Sequence, residues 1–201
     1  MKYAAKIISY IFHPVFIPTI ITGCFYILNS DFFTEFERYL ATAQAFLMTF
    51  LLPVCIYYFL KSLGLLKSSI MLQNLRERTA PMFLNIVIIN VLVFKIWENV
   101  SNSTLKIYFI GYCISYTILL IGILLKRKYS VHVASVCSAI PLFVNQTTSY
   151  YINPFYILPI ALLCIGLVAS SRLYLRAHNN VEIIIGALIG FIPTFILFYS
   201  M

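Results

Sequence analysis

Residues 155–199 read FYILPIALLCIGLVAS (155–170), SRLYLRAHNNVE (171–182) and IIIGALIGFIPTFILFY (183–199). Two apolar runs thus flank one short polar stretch. Apolar runs of about 18 residues are typical of membrane-spanning helices. Because a charge beside hydrocarbon is costly, polar residues at such a junction belong either to the membrane surface or to a functional site. The stretch therefore predicts two membrane helices with a candidate site between them.

The composition of the whole chain also indicates a membrane protein. Of 201 residues, 62% are hydrophobic and 10% are charged, and the mean hydropathy is +0.94, which excludes an ordinary soluble domain. The formal charge of +8 points to loops at an anionic lipid surface rather than to nucleic acid. The five cysteines lie inside apolar runs at spacings that indicate neither disulfides nor a metal site. We therefore expect buried cysteines, no metal and no cofactor.

The apolar residues fall into seven segments, and we predict an all-α polytopic membrane bundle with about six to seven transmembrane segments. It forms a single domain over residues 1–201. We expect the first segment to be an uncleaved anchor. Pro141 interrupts the fifth segment, and His13-Pro14 with Pro18 suits a kinked or re-entrant first segment, although a packing role is the favoured alternative. The segments cover approximately residues 8–28, 40–60, 82–97, 105–125, 131–148, 155–170 and 182–199.

If every segment crosses the membrane, the loops form two faces of unlike charge. Nearly all loop lysines and arginines lie on the face that carries the N-terminus and residues 61–80, 126–130 and 171–180. The opposite face carries Asp31, Glu35, Glu37 and Glu98. This asymmetry indicates cytoplasmic loops under the positive-inside rule, a polyanion-binding face, or both.

The polar stretch 171–182 carries the strongest candidate site. His178 and Glu182 stand four residues apart, so on a helix they share one face, and the carboxylate can fix the tautomer of the imidazole. Arg172 is suited to hold an anion through paired N–H donors. The alternative is a positively charged flank that carries an incidental histidine.

Two further basic clusters belong to the same predicted face. Ser130 and His132 stand at the entrance to the fifth segment, where a histidine can supply a proton to a bound anion. Arg76 and Arg78 come shortly before Pro81, which we expect in the first turn of the third segment. Each cluster taken alone is also explained as the basic flank of a membrane helix.

Together the three clusters resemble the type-2 phosphatidic acid phosphatase family, the membrane relatives of bacterial acid phosphatases and vanadium haloperoxidases. The third motif of that family is S-R-x5-H-x3-D. It is matched by Ser171, Arg172 and His178, and Glu182 stands where the family has Asp. The following stretch 186–190, GALIG, has the small-residue spacing that permits close helix contact.

The resemblance extends over about residues 67–195, and residues 1–66 form two additional N-terminal helices. The second family motif, P-S-G-H, is half kept, since Ser130 and His132 match. The first, K-x6-R-P, is the poorest: Arg78 precedes Pro81 by three positions, and either Lys67 or Arg76 stands in for the missing lysine.

The resemblance implies metal-independent phosphoryl transfer at the membrane surface. His178 would attack phosphorus to give a phosphohistidine, and Glu182 would orient it. His132 would protonate the leaving oxygen and then activate water. Arg172, Arg78 and the Ser130 region would hold the phosphate oxygens. The expected substrate is a lipid phosphate or polyprenyl diphosphate, and the expected location is the bacterial cytoplasmic membrane.

The departures from the motifs leave two other interpretations open. One is a weakened or non-catalytic relative that binds lipid head groups, since Val131 adds bulk where the family has Gly. The other is a small transporter or channel subunit, which predicts charges inside the spans, where Lys95 is the clear instance. The charge bias favours a cytoplasmic site, whereas many members of the family act on the outer side.

Overall fold

The computed structural model describes residues 2–67, 74–98, 103–149 and 154–200. Parts of the predicted loops (68–73, 99–102 and 150–153) lie outside these residues. The described residues contain helices and no strand. In chain order the helices are α1 (Lys2–Ile11), α2 (Ile17–Leu28), α3 (Glu35–Ser62), α4 (Leu75–Ile96), α5 (Ser103–Leu124), α6 (Val131–Cys137), α7 (Ile140–Ser149), α8 (Pro154–Tyr174) and α9 (Asn180–Ser200), with a short 3₁₀ turn at Ser30–Phe32.

Five of these helices are long and apolar enough to cross a membrane. They contain the spans Glu35–Ser62, Leu75–Ile96, Thr104–Leu124, Ile157–Tyr174 and Asn180–Ser200. At 1.5 Å per residue, about 20 residues cover the ~30 Å hydrocarbon core of a bilayer. Many large apolar side chains face outward, as lipid contact requires. The prediction of a helical membrane bundle is confirmed in this form.

Two of the seven predicted segments are not single helices. The first breaks at residues 12–16 into α1 and α2, where Pro14 cannot donate a backbone hydrogen bond. The fifth breaks after Cys137 into α6 and α7, and Pro141 takes the second position of α7, where a proline needs no N–H. Both breaks leave short helices around the interior rather than long membrane-crossing helices.

Helix α4 begins earlier than the sequence pattern indicated. The side chain of Asn74 accepts a hydrogen bond from the N–H of Arg76 and caps a helix that starts at Leu75. Pro81 therefore lies in the second turn, and its expected place in the first turn was wrong. As a consequence Arg78 belongs to the helix itself and is buried. The polar first turns carried no apolar periodicity, which is why the pattern missed them.

Two glycines allow α9 to pack closely against α6. A Cβ on Gly186 would lie 2.8 Å from the carbonyl oxygen of Ser130, and one on Gly190 would overlap the main chain of Ala134. The backbone N–H of Ser130 also donates to the carbonyl oxygen of Glu182 at 3.2 Å. Close approach through small residues spaced four apart is a common way to join helices in a bilayer. It fixes the start of α6 beside the start of α9.

Candidate functional site

A cavity of about 900 Å³, including the part open to the outside, lies where several helix ends meet. Its lining includes all three histidines of the chain and its two buried arginines. The other lining residues are mostly apolar, and most of the apolar ones belong to α3 and α4. The polar lining residues are His13, Tyr57, Arg78, Asn85, Tyr116, His132, Arg172 and His178, and the apolar ones are Pro14, Val15, Pro53, Val54, Ile56, Pro81, Met82, Leu84, Ile88 and Val131.

His178 and Glu182 form a hydrogen-bonded pair at the start of α9. Nδ1 of His178 lies 2.8 Å from Oε2 of Glu182. The same carboxylate oxygen accepts the N–H of Asn179 at 3.3 Å, and Asn179 Oδ1 accepts the N–H of Glu182 at 2.9 Å. This reciprocal arrangement is a helix cap that also holds the carboxylate in place. Glu182 therefore has a structural role beside its contact with the imidazole.

The environment of His178 favours the neutral imidazole. Burial lowers the pKa of His178 to about 4, because its hydrogen bond to Glu182 raises the pKa by less than burial and the nearby arginines lower it. With Nδ1–H donated to the carboxylate, Nε2 carries the lone pair. A neutral ring with a fixed tautomer has the properties of a nucleophile or a base.

His132 lies in the first turn of α6 and is 6% exposed. Its Nε2 is buried and has no hydrogen-bond partner within the described part of the chain. Burial, then the charge of Arg172 and the other cationic neighbours, lowers its pKa well below the ordinary value. A buried polar atom without a partner is costly, so His132 is suited to meet a polar group of a ligand.

The two buried arginines come from different helices. Arg78 lies on α4 and Arg172 lies near the end of α8, and both face the cavity with relative exposures of 9% and 7%. Nη1 of Arg172 donates to Ser9 Oγ at 3.3 Å, whereas its Nε has no partner among the described residues. Glu182 is near both His178 and Arg78. One carboxylate against two guanidinium groups leaves a net positive cavity, which favours an anion.

Of the predicted site residues, Arg78, His132, Arg172 and His178 meet around this cavity, and Glu182 contacts His178. Three others do not. Ser130 is fully buried, and its hydroxyl caps α6 by accepting the N–H of Val133 at 3.5 Å. Lys67 and Arg76 are exposed and lie outside the cavity lining. A phosphate-binding role for these three side chains therefore has no geometric support.

Four polar lining residues were not predicted as members of the site. His13, assigned to packing, follows α1, and Tyr57 lies on α3. Asn85 lies within the apolar part of α4, and Tyr116 lies on α5. A polar residue inside an apolar run is the signal that marks Asn85, because such residues in membrane helices usually face the interior. For His13 the signal was its rarity, since the chain holds three histidines.

Among the described residues, no group of three or more His, Cys, Asp or Glu is arranged to hold a metal ion. No protein-family model, curated protein or solved structure matches the chain.

Proposed function

We propose that the protein is a membrane-embedded phosphatase that hydrolyses a lipid phosphomonoester or diphosphate through a phosphohistidine on His178. One observation carries the proposal: the His178–Glu182 pair, at 2.8 Å, lies in a cavity that also contains Arg78, Arg172 and His132. This set supplies an oriented nucleophile, two fixed cations for phosphate oxygens and a second histidine for proton transfer. These residues come from three well-separated parts of the chain, at Arg78, His132 and residues 172–182, and only the fold brings them together.

In the first step Nε2 of His178 attacks phosphorus. A P–N bond forms, and the P–O bond to the lipid breaks. The imidazole becomes cationic and is stabilised by Glu182, while Arg78 and Arg172 bind the equatorial oxygens. The leaving oxygen takes a proton from His132. The bound phosphate offsets the positive charge that lowers the pKa of His132, so binding itself favours the protonated acid.

In the second step His132, now neutral, removes a proton from water. The water oxygen attacks phosphorus, the P–N bond breaks, and inorganic phosphate leaves with His178 neutral again. The starting and final protonation states of both histidines are the same, so the cycle is balanced. One residue acting first as acid and then as base is the expected pattern for such two-step transfers.

The apolar wall of the cavity supports a lipid substrate. Pro53, Val54 and Ile56 of α3 and Met82 and Leu84 of α4 line the same cavity as the two arginines. Both helices are long and apolar enough to span a membrane, and all of these residues except Met82 are partly exposed. A phosphate attached to a hydrocarbon chain fits a cavity whose lining combines two arginines with many apolar side chains. Phosphatidic acid, phosphatidylglycerophosphate and undecaprenyl diphosphate all have this character.

The proposal includes a topology and a location. We infer that the broken pairs α1–α2 and α6–α7 complete a bundle of six to seven segments. Each pair contributes residues to the cavity, and away from it the ends of α2 and α7 are joined by the hydrogen bond from Asn29 Nδ2 to Gln146 Oε1 at 2.7 Å. The exposed residues Lys126 and Arg176 closely precede the cavity residues His132 and His178 in sequence, and the exposed Lys2 and Lys6 lie on α1, which is bonded to Ser171 beside Arg172. This charge bias favours a cytoplasmic cavity in the inner membrane of a bacterium.

A second function, binding of lipid head groups without turnover, is favoured by one observation. Val131 lines the cavity, and the hydroxyl of Ser130 is used as a helix cap instead of facing the anion. The site then holds phosphate with two arginines but lacks one group that would stabilise the transition state. This alternative predicts phosphate binding with no release of inorganic phosphate from any lipid.

Phosphate release from a panel of lipid phosphates by detergent-purified protein tests the proposal. We expect release that resists EDTA and is blocked by orthovanadate, a mimic of pentacoordinate phosphorus. A water-soluble phosphomonoester serves as the matched control substrate, because it offers a phosphate to the arginines but no hydrocarbon chain to the apolar lining. A much lower KM for lipid phosphates than for this soluble substrate supports a lipid phosphatase. Binding of lipid phosphates without release of inorganic phosphate would favour the head-group-binding function. The absence of both binding and release would exclude both functions.

A further inference from the structure

The N-terminal helix α1 is joined to the cavity by buried hydrogen bonds. Its interior face packs on α8, where Ser171 Oγ donates to the carbonyl oxygen of Ala5 at 2.6 Å. Ser9 Oγ lies 2.8 Å from Ser171 Oγ and accepts from Nη1 of Arg172 at 3.3 Å. Ser9 is 1% exposed, so these bonds are shielded from solvent. A guanidinium group of the cavity is thus held by a residue 163 positions away in sequence.

The turn after α1 contacts the second histidine of the cavity. The ring of His13 meets the ring of His132 edge to face, with centroids 5.3 Å apart and an interplanar angle of 84°. Nδ1 of His13 accepts the N–H of Val15 at 3.4 Å, which ties the ring to its own turn. Edge-to-face contact is a preferred geometry for aromatic rings and restricts the rotamers of both.

We propose that the segment from Ala5 to His13 is a positioning part of the anion site, in which Ser9 fixes the guanidinium of Arg172 and His13 fixes the ring of His132. The inference rests on the proposed function only for its turnover measurements. Its physical basis is preorganisation: an arginine held before the anion arrives loses less side-chain freedom on binding, and a misplacement of about 1 Å at a reacting group costs on the order of 100-fold in rate.

The alternative is that the serine pair serves only to pack α1 on α8. The two roles make different predictions, because simple packing lowers stability without changing affinity for an anion. The outer face of α1, with Tyr3, Ile7 and Tyr10, is exposed. Its attachment therefore depends on the inner face that carries Ala5 and Ser9.

The first test is the affinity of Ser9→Ala for inorganic phosphate, measured by calorimetry on the full chain in detergent. We expect a loss of roughly 2- to 10-fold, the range for one buried hydrogen bond, and recovery in Ser9→Thr, which keeps the hydroxyl. Ser138→Ala is the matched control, because this buried serine bonds to the carbonyl oxygen of Ser135 and does not line the cavity. Unchanged phosphate affinity in a folded Ser9→Ala protein would overturn the role of Ser9.

The second test compares His13→Phe with His13→Ala. Phe keeps an aromatic ring against His132 but removes both nitrogens. If His13 positions His132 by ring contact, Phe retains most of the parent kcat, whereas Ala lowers kcat more than it raises KM and shifts the limb of the pH–rate profile that reports His132. Equal losses in Phe and Ala would mean that a nitrogen of His13 is needed, and they would overturn the positioning role, as would parent-like behaviour of both.

The two measurements separate this inference from the proposed phosphatase activity. A parent that binds phosphate but releases none from lipids refutes catalysis, while Ser9→Ala still tests the inference by affinity. A parent that turns over lipid phosphates with no response to Ser9→Ala or to either His13 variant refutes the inference alone. A parent with no affinity for phosphate or orthovanadate refutes both.

Discussion

The N–H of Ser130 donates to the carbonyl oxygen of Glu182 at 3.2 Å, and this bond joins the starts of α6 and α9. His132 lies two residues after Ser130, and His178 lies four residues before Glu182. The two histidines with proposed chemical roles are thereby held by one main-chain contact between helices far apart in sequence. A preorganised site requires that the main chain that carries both imidazoles is held in place before the ligand binds.

His178→Ala is expected to abolish turnover and to leave the bundle folded. No other histidine of the cavity is assigned as a nucleophile, because His132 is assigned to proton transfer and His13 to positioning. Loss of a covalent nucleophile commonly costs several orders of magnitude. Rapid quench with labelled substrate should trap an acid-labile phosphoenzyme in the parent and none in the variant. Arg176→Gln, a change at an exposed neighbour, is the control and should match the parent. Parent-like turnover by His178→Ala would contradict the mechanism.

Glu182→Gln is expected to lower kcat by roughly 100- to 10,000-fold, as loss of a tautomer-fixing carboxylate does in comparable pairs. The carbonyl oxygen of Gln still accepts the N–H of Asn179 and preserves the helix cap, so the change isolates the charge. Glu182→Asp keeps the charge and should retain more activity than Gln. Steady-state kinetics and thermal unfolding should be measured together. If Gln and Asp both match the parent, Glu182 is a capping residue only.

Gly190→Ala is expected to lower both stability and activity. Its methyl group would overlap the main chain of Ala134, and overpacking of this kind costs about 1–3 kcal/mol. Separation of α6 from α9 would also move His132 away from His178. Gly166→Ala is the matched control, since nothing lies within 4 Å of its added Cβ. Thermal unfolding in detergent should place Gly166→Ala at or above the parent midpoint and Gly190→Ala below it, and equal midpoints would refute the close contact.

The sequence predicts the composition of this site better than the paths of its helices. Arg172, His178 and Glu182 were predicted together because they lie in one short polar stretch between two apolar runs, at the spacing of a known family motif. Hydropathy did not locate the start of α4, because a polar first turn capped by Asn74 has the composition of a loop. The place of His13 depends on the turn at residues 12–16 and its packing against α6, which no local pattern encodes. Tertiary packing decides such contacts.

Ser130, the serine of the half-kept P-S-G-H motif, is another residue whose contacts the sequence alone did not predict. Ser130 and His132 are two residues apart in sequence, and both were expected to contact the bound anion. In the structure the start of α6 directs His132 toward the cavity and leaves Ser130 buried against α9. Residues two apart on a helix point in different directions. A motif predicts which residues are near a site. The position at which the helix begins determines which of their side chains point into it.

The activity of the parent is expected to fall on acidification in the range where His178 gains a proton. Burial lowers the pKa of this imidazole to about 4 from an ordinary 6.5, so the neutral nucleophile persists at mildly acidic pH. The acid limb of kcat/KM should therefore lie below the ordinary histidine range. It should be measured with a substrate whose own phosphate ionisation is known. An acid limb near 6.5 would contradict a buried, neutral His178.

The same shift predicts a loss of stability in acid. The unfolded chain binds a proton on His178 below about 6.5, but the folded protein does so only near 4, so stability is complete above 6.5 and falls as the pH decreases toward 4. His132, whose pKa is also lowered, acts in the same direction. Thermal midpoints in detergent between pH 7 and pH 5 should decrease more for the parent than for a His132→Gln, His178→Gln double variant. Equal decreases would mean that neither histidine is buried neutral.

The side of the membrane on which the cavity opens is a final prediction. Single cysteines at Lys126 and Ser30, both exposed and at opposite ends of the bundle, report the two faces in a background that lacks the five native cysteines. Because the basic residues cluster at the cavity end, the positive-inside rule places Lys126 in the cytoplasm. An impermeant thiol reagent applied to intact spheroplasts should then label Ser30→Cys and spare Lys126→Cys, with both labelled after lysis as the accessibility control. The reverse pattern would place the cavity outside, where a substrate would be reached from the outer leaflet, and labelling of both in intact cells would contradict two separate faces.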